Sequence, residues 1–360
     1  ALLVAVLAIS MYATRDTGRE DAAPPLPAAA DFVGRDQCAE CHAEAYRQWL
    51  DSDHDNAMDV ASDTTVLGDF DGAEFTHAGV TSRFYRRDDG FFVSTEGPDG
   101  ETGEFEVRYT FGIEPLQQYL VPFPGGRLQA LPIAWDTERD RWFTLNPDTV
   151  IAPDDWLHWT RNGQNWNGMC AECHSTNLQK NFDPDTGTYA TTWSEIDVSC
   201  EACHGPGSRH VAWASADPAA RESIDNVGLE VVSNNLDNRQ YVDLCAPCHA
   251  RRSEIADYDH SQSGLMQHFV PALLDDGLYH PDGQILEEVY VHGSYLQSRM
   301  FANGVTCSDC HDPHSLDLLF PGDDVCSRCH SAARYETPEH HFHEVGEPGS
   351  FCVDCHMPVS

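Results

Sequence analysis

Seven pentapeptides of the form Cys-x-x-Cys-His dominate this sequence and take up all 14 of its cysteines. They are Cys38–His42 with Cys41, Cys170–His174 with Cys173, Cys200–His204 with Cys203 and Cys245–His249 with Cys248. Three more follow: Cys307–His311 with Cys310, Cys326–His330 with Cys329 and Cys352–His356 with Cys355. Histidine is 19 of 360 residues, so a chance histidine after every pair has odds of about one in a billion. The spacing is that of c-type haem attachment. Two thiols add to the two vinyl groups on one porphyrin edge, and the next residue, His, lies under the iron. A disulfide framework has no need of that histidine, and cysteines this close in sequence are poorly placed to bridge each other. Zinc ribbons pair one Cys-x-x-Cys with a second, and iron–sulfur clusters want four cysteines in a run. The pattern therefore predicts seven covalently bound haem c groups, with His42, His174, His204, His249, His311, His330 and His356 as proximal iron ligands.

Seven such groups leave one per about 51 residues. That is too little polypeptide for a separate core around each cofactor, so the porphyrins must supply much of the buried apolar surface. The expected fold is mostly irregular, with short α-helices wrapped around a covalent multihaem array. The attachment sites are spread unevenly. Cys170 stands 132 positions after Cys38; the later steps are 30, 45, 62, 19 and 26. Within the long gap, Ser82–Arg87 and Phe91–Thr95 flank Asp88-Asp89-Gly90, a hairpin signal. Phe105–Phe111 alternates after the turn Gly97-Pro98-Asp99-Gly100, and Leu128–Trp135 and Trp142–Leu145 flank another polar turn. These predict a small antiparallel β insertion at about residues 70–150, inside a seven-haem domain covering 31–360. Asp183-Pro184-Asp185-Thr186-Gly187 has Ser194, not Glu, at the twelfth position of a calcium loop, so it reads as a plain turn.

Residues Ala1 to Tyr12 are nearly all apolar, and Asp21–Ala30 is a Pro/Ala-rich stretch. We read 1–14 as a truncated N-terminal membrane segment and 15–30 as a semi-stiff linker. That predicts an exported chain on the periplasmic side of the membrane, with an extracellular location as the alternative. Acidic residues number 59 against 21 basic ones, for a formal net charge of -38, and Lys180 is the sole lysine. Phosphate would be repelled by such a surface, which argues against nucleic acid as a partner.

Beyond the proximal set stand twelve histidines: His54, His77, His158, His210, His260, His268, His280, His292, His314, His340, His341 and His343. This surplus predicts bis-histidine ligation. His314 follows His311 by three residues, with Pro313 between them. Three residues reach about 10 Å when fully extended, too short to round a macrocycle and return to its centre. His314 is therefore expected to serve a different haem. The same logic applies more weakly to His210, six residues after His204.

Several segments carry a family resemblance. These are Trp49-Leu50-Asp51-Ser52-Asp53-His54, Cys200–His204 continuing through Gly205-Pro206-Gly207-Ser208-Arg209-His210, and Gly304-Val305-Thr306-Cys307 running to His314-Ser315. His340-His341-Phe342-His343 ahead of Cys352–Pro358 is another. Together they resemble a large multihaem cytochrome c family, related to the tetrahaem cytochromes of nitrifiers and often continued by tetratricopeptide repeats. The resemblance implies electron transfer through bis-histidine haems. It supports His54, His210, His314 and one of His340–His343 as distal ligands. Phe75-Thr76-His77, Asp155-Trp156-Leu157-His158 and Tyr279-His280 also look like that family. The full expected distal set is His54, His77, His158, His210, His280, His314 and His343. The chain departs from the family in ending four residues after His356, so one distal ligand is expected to be missing, or to be replaced from upstream or from another subunit.

Two functions follow. In the first, the chain is an electron conduit, redox protein partners of which include a membrane oxidoreductase complex; an extracellular haem wire is a variant of it. In the second, it reduces or oxidises small nitrogen or sulfur compounds, which needs an iron with an open site. The first is the expected one, with no substrate chemistry of its own.

Overall fold

The computed structural model describes residues 29–258 and 264–357. The segment 1–14, most of the 15–30 linker and His260 lie outside the described residues. Among the described residues no helix is long and apolar enough to cross a membrane.

The long gap between the first two pentapeptides folds into two antiparallel sheets. One has the order β2 (Asp71–His77), β3 (Val80–Arg87), β4 (Gly90–Glu96), β5 (Thr102–Val107). The other runs β1 (Met58–Val60), β6 (Tyr109–Phe111), β7 (Leu116–Phe123), β9 (Ile133–Asp136), β10 (Arg141–Thr144), with β8 (Arg127–Ala130) also on β7. The Asp88-Asp89 turn lies where the sequence put it. Arg87 pairs with Gly90, leaving a two-residue loop, and Asp88 takes φ +53°, a left-handed value that aspartate tolerates.

Alternation explains the packing. Phe84 on β3, Phe91 and Val93 on β4, and Val107 on β5 point inward from the first sheet; Tyr119, Val121, Ile133, Trp135 and Trp142 meet them from the second. Phe84 and Trp142 stack face to face at 3.6 Å between ring centres. Strand β7 is buried on both sides. Its even face puts Leu120 into a second cluster with Met58, Phe111, Ala130, Trp166 and Ala171. Ala171 belongs to the second pentapeptide, so the sheet is a sandwich on one face and a platform for a cysteine pair on the other. The antiparallel β unit thus has a core of its own.

The remainder is short helices and loops. The longest helix among the described residues, Asn238–His249, starts with a capping box: Gln240 N–H donates to Asp237 at 2.8 Å and Asp237 N–H donates to Gln240 Oε1 at 3.0 Å. The fourth pentapeptide is its last turn. The predicted turn at Asp183–Gly187 joins Phe182–Asp183 to Thr188–Tyr189, with the Asp183 carboxylate accepting from Thr186 Oγ1 at 2.8 Å.

Replacing Phe84 by Ala removes half of the central stack and is expected to cost about 3–5 kcal/mol. Thermal unfolding followed by circular dichroism should show a lowered midpoint for β-sheet loss. An unchanged midpoint would mean the sandwich is not the cooperative unit described here.

Candidate haem-attachment sites

The first and third pentapeptides come together although 162 residues separate Cys38 from Cys200. Their sulfurs lie close enough for each to shift the other's pKa. The join is made by Glu201, a carboxylate inside the third pentapeptide that is only 2% exposed. It accepts from Val33 N–H at 3.0 Å, Gly34 N–H at 2.8 Å and Gly207 N–H at 2.7 Å. One buried charge thus satisfies three backbone donors from two loops, which is how such a charge is tolerated.

Other cysteine pairs repeat the arrangement. Asn165 caps the helix Trp166–Met169 by accepting from Gly168 N–H at 3.1 Å, and the second pentapeptide follows directly. Cys173 reaches Cys248 of the fourth pentapeptide, and its Sγ lies 3.8 Å from the Pro247 carbonyl. Cys245, at the other end of that pentapeptide, lies close enough to Cys307 of the fifth for each to shift the other's pKa. Cys203 is within electrostatic range of Cys245 and Cys248, and Cys310 is within range of Cys326 and Cys329. Cys326 and Cys352 meet beside Asp323, whose carboxylate accepts from Cys352 N–H at 3.0 Å.

The histidines supply a test of fit for iron. Two imidazoles that bind one ion from opposite sides through bonds of about 2.0 Å have ring centres about 6 Å apart. His42 and His210 lie 6.0 Å apart, His54 and His249 6.3 Å, and His340 and His356 6.1 Å. Their side chains come from distant segments, and each pair contains one pentapeptide histidine. His314 stands close enough to His204 that, after burial, it is the next largest influence lowering the His204 pKa. Burial likewise drives His54 down to about 4, so the ring is neutral and has a lone pair to offer.

Several rings are also held as metal-binding imidazoles are, with Nδ1 bonded to a backbone carbonyl and Nε2 left to point at the metal. His174 Nδ1 lies 2.8 Å from Ala57 O, His210 Nδ1 2.9 Å from Val227 O, and His268 Nδ1 2.7 Å from Asp257 O. Val227 takes φ +51°, a costly conformation for a β-branched residue. Gly228 beside it packs so tightly on the helix Ser208–Ser215 that a Cβ would fall 2.6 Å from Arg209 O. The strained loop is thereby pressed onto the helix that carries His210. Phe111 of β6 meets the His174 ring edge-on at 5.3 Å, so the sheet also fixes the second pentapeptide's histidine. On these grounds the residues suit haem c.

Other histidines named from the sequence are placed differently. His158 is buried in the β unit with Nδ1 2.9 Å from Thr160 Oγ1 and Nε2 3.5 Å from Glu96. Both ring nitrogens are engaged by side chains rather than turned toward a pentapeptide. His77 ends β2 at a hairpin tip, and its Nε2 is buried without a hydrogen-bond partner. His280 is exposed in a turn, its carbonyl accepting from Gly283 N–H at 2.8 Å. His343 packs against Gly349, while its neighbour His340 faces His356. His268 was not singled out by sequence reasoning. Its signal is structural: a ring 2% exposed, with Nε2 unpaired.

The family described as cytochrome c554 and c-prime matches residues 37–69 and 157–205, which include the first three pentapeptides. A search of the curated proteins finds no match. Among solved structures, an outer cell wall cytochrome, OcwA, aligns with 91% of this chain and 77% of its own at 17% identity, with a TM-score of 0.58. An undecahaem cytochrome from the S-layer of Carboxydothermus ferrireducens aligns with 92% of this chain and 52% of its own at 20% identity, TM-score 0.47. The likeness to the outer cell wall cytochrome shows a shared fold. That fold, the matched segments and the cysteine pattern mark a multihaem c-type cytochrome.

Glu201→Gln should leave one or more of the three amide donors unpaired, at a cost of about 1–3 kcal/mol. The expected readout is faster proteolysis near Asp31–Gly34. Equal cleavage rates for variant and parent would show that Glu201 is not the clasp.

Proposed function

We propose that this chain is an electron relay of seven covalent haems, exported from the cytoplasm and working with redox proteins at both ends of the array. The observation that carries the reading is the set of thiol meetings between different pentapeptides. Porphyrins attached at abutting cysteines would have edges close together, and short edge-to-edge gaps are what electron transfer needs. The meetings order the sites as first, third, fourth, fifth, sixth, seventh, with the second branching from the fourth. Protein groups would bind the haems, hold the imidazoles neutral and oriented, and keep water from the irons; the haems would supply one-electron chemistry when bound.

In this reading His210 is the distal ligand for the first site, His314 for the third, His54 for the fourth and His340 for the seventh. His340 replaces His343, and His158 drops out of the set. His268, with its Nε2 buried and unpaired, joins the pool for the remaining sites. Apolar side chains stand exposed around the last three pentapeptides, including Phe342 at 85% and Val345 at 66%. Porphyrin faces would cover such groups.

A membrane anchor within residues 1–14, feeding from a membrane oxidoreductase complex, is supported by the apolar run there. An extracellular relay is supported by the likeness to an outer cell wall cytochrome. Kinship with the nitrifier tetrahaem cytochromes is part of the same proposal and rests on the segments 37–69 and 157–205.

Mass spectrometry of the denatured protein should show seven added haems, and six or fewer would defeat the count. His314→Ala should turn the haem held by Cys200 and Cys203 high-spin in electron paramagnetic resonance. The haem at Cys307 and Cys310 should stay low-spin; if it is the one that changes, the pairing of His314 with His204 is wrong.

A further inference from the structure

Four charged side chains meet where the first and third pentapeptides begin. Arg35 stands three residues before Cys38, Glu195 and Asp197 lead into Cys200, and Asp55 follows His54. Arg35 Nη1 lies 2.8 Å from Asp197 Oδ2 and 3.3 Å from Asp55 Oδ1, and Arg35 Nε lies 3.0 Å from Glu195 Oε1. The Arg35 backbone N–H also donates to Glu195 Oε1 at 3.1 Å. Trp49 lies under the guanidinium at 4.8 Å.

One cation therefore faces three carboxylates. The side chains of Asp197 and Glu195 are only 4% and 9% exposed. Asp197 Oδ1 and Glu195 Oε2 are both buried with no hydrogen-bond partner. An ionised carboxylate only accepts, so two buried, unpaired oxygens in a cluster with excess negative charge are poorly satisfied while every acid is ionised. A proton on one of them removes one charge and gives that oxygen a donor.

We propose that this cluster is a proton-binding site, with Asp197 as the acceptor, that takes up a proton when the neighbouring haems are reduced and releases it when they are oxidised. The inference rests on the relay reading. The balance is simple. One electron, arriving from a redox donor protein, turns one ferric iron ferrous; one proton from water converts the Asp197 carboxylate to the acid. Oxidation reverses both.

Position makes the coupling strong. The Val198 N–H donates to the His54 carbonyl at 3.1 Å, Trp49 Nε1 donates to Val198 O at 3.0 Å, and Thr176 Oγ1 donates to Asp197 O at 2.8 Å. The acid is thus anchored among the supports of the first, third and fourth sites, where burial weakens dielectric screening. Burial lifts the Asp197 pKa to about 7; Arg35 opposes the rise, and Asp55 and Glu195 add to it. Asp51 and Asp59 act on Asp55 from outside the cluster. Glu201, on the same side, is tied to three amide donors and adds no free oxygen to it.

The sign follows. Reduction removes positive charge from an iron and raises the Asp197 pKa, so the ferrous form binds the proton more tightly. Potentials of the coupled haems should fall as pH rises, beginning near pH 7 and continuing to the pKa of the reduced state. The slope is at most about 59 mV per pH unit, one proton per electron.

The test is a spectroelectrochemical titration of the haem-loaded protein between about pH 6 and pH 9, paired with a redox-difference infrared spectrum. The parent should show the slope and a protonated-carboxyl stretch that grows on reduction. Asp197→Asn, close in size, should lose both. Glu195→Gln should keep both and move the slope to lower pH. A slope or carboxyl band that survives in Asp197→Asn, or that vanishes in Glu195→Gln alone, overturns the assignment. If Asp197→Asn does not accumulate, proton uptake per electron in the parent and the shift in Glu195→Gln decide the matter, and the absence of either refutes it. Reversible titration with no pH slope would sink this inference alone, whereas a chain without reversible haem couples would sink the relay itself.

Discussion

Thiols from different pentapeptides press against one another, and much of the molecule is arranged to bring them there. Cys38 meets Cys200, Cys173 meets Cys248, Cys245 meets Cys307 and Cys326 meets Cys352. Contacts this remote in sequence carry a large loop-closure entropy, and short helices cannot offset it by their own propensity. The structure uses specific clasps instead. Glu201 ties three amides from two loops, and Val227 is strained so that its carbonyl can hold His210. The β sandwich contributes in another way. It builds a conventional core of aromatic and aliphatic residues, then uses the back of β7 to seat Ala171 and the edge of β6 to pin His174.

The cysteine pattern names the candidate attachment residues without help from folding, because the covalent chemistry it suits would fix their spacing locally. The hairpins of the β unit were legible for a similar reason: Asp88-Asp89 and the alternation of Phe84, Phe91 and Val93 are local signals. The partners of the pentapeptide histidines were harder to read. His340, His341 and His343 look alike along the chain, and only the fold turns His340 toward His356 while His343 packs on Gly349. His158 sits beside tryptophans in a segment that suggested a ligand, yet Glu96, brought there by β4, takes its Nε2. His268 belongs to the surplus of twelve histidines, but nothing beside it in the chain sets it apart from the others. Strand β7 was not legible because it reads as a mixed run, and its burial on two faces depends on Trp166 and Ala171 arriving from beyond the sheet.

The choice of arginine over lysine is consistent with the same economy of contacts. With a formal charge of -38, cations are scarce, and many of the arginines lie flat on aromatic rings. Arg35 stacks over Trp49, Arg252 over Phe269 at 4.2 Å, Arg87 over Phe92 at 4.0 Å, and Arg328 over Phe320 at 4.5 Å. A planar guanidinium does this and still presents N–H donors at its edge; an ammonium has no face to stack. Arg252 shows both uses, since its Nε donates to the Pro247 carbonyl at 2.9 Å next to the Cys173–Cys248 contact. Lys180, the sole lysine, is paired with Glu254 at the same place. Arg35, Arg252 and Lys180 are thus placed beside pentapeptides, near the buried carboxylates of Asp197 and Glu172.

The segment from Cys307 to His314 draws these threads together. It lies 62 residues beyond Cys245 in the chain, yet Cys307 returns close enough to Cys245 for each to shift the other's pKa. His311 comes near enough to His249 to lower its pKa further after burial has done so. His314, three residues on, acts on His204 in the same way. Eight residues thus touch the third, fourth and fifth pentapeptides. Thr306 opens the segment by exchanging hydrogen bonds with Asp309, its N–H donating to Asp309 Oδ2 at 2.8 Å, and the Asp312 carboxylate accepts from His314 N–H at 2.8 Å. Pro313 fixes its own φ between His311 and His314. With both ends closed by carboxylate–amide bonds, the segment has little freedom to separate its two histidines. Spacing between the third and fifth sites is then set by covalent geometry over three residues, a tighter constraint than side-chain packing alone would impose.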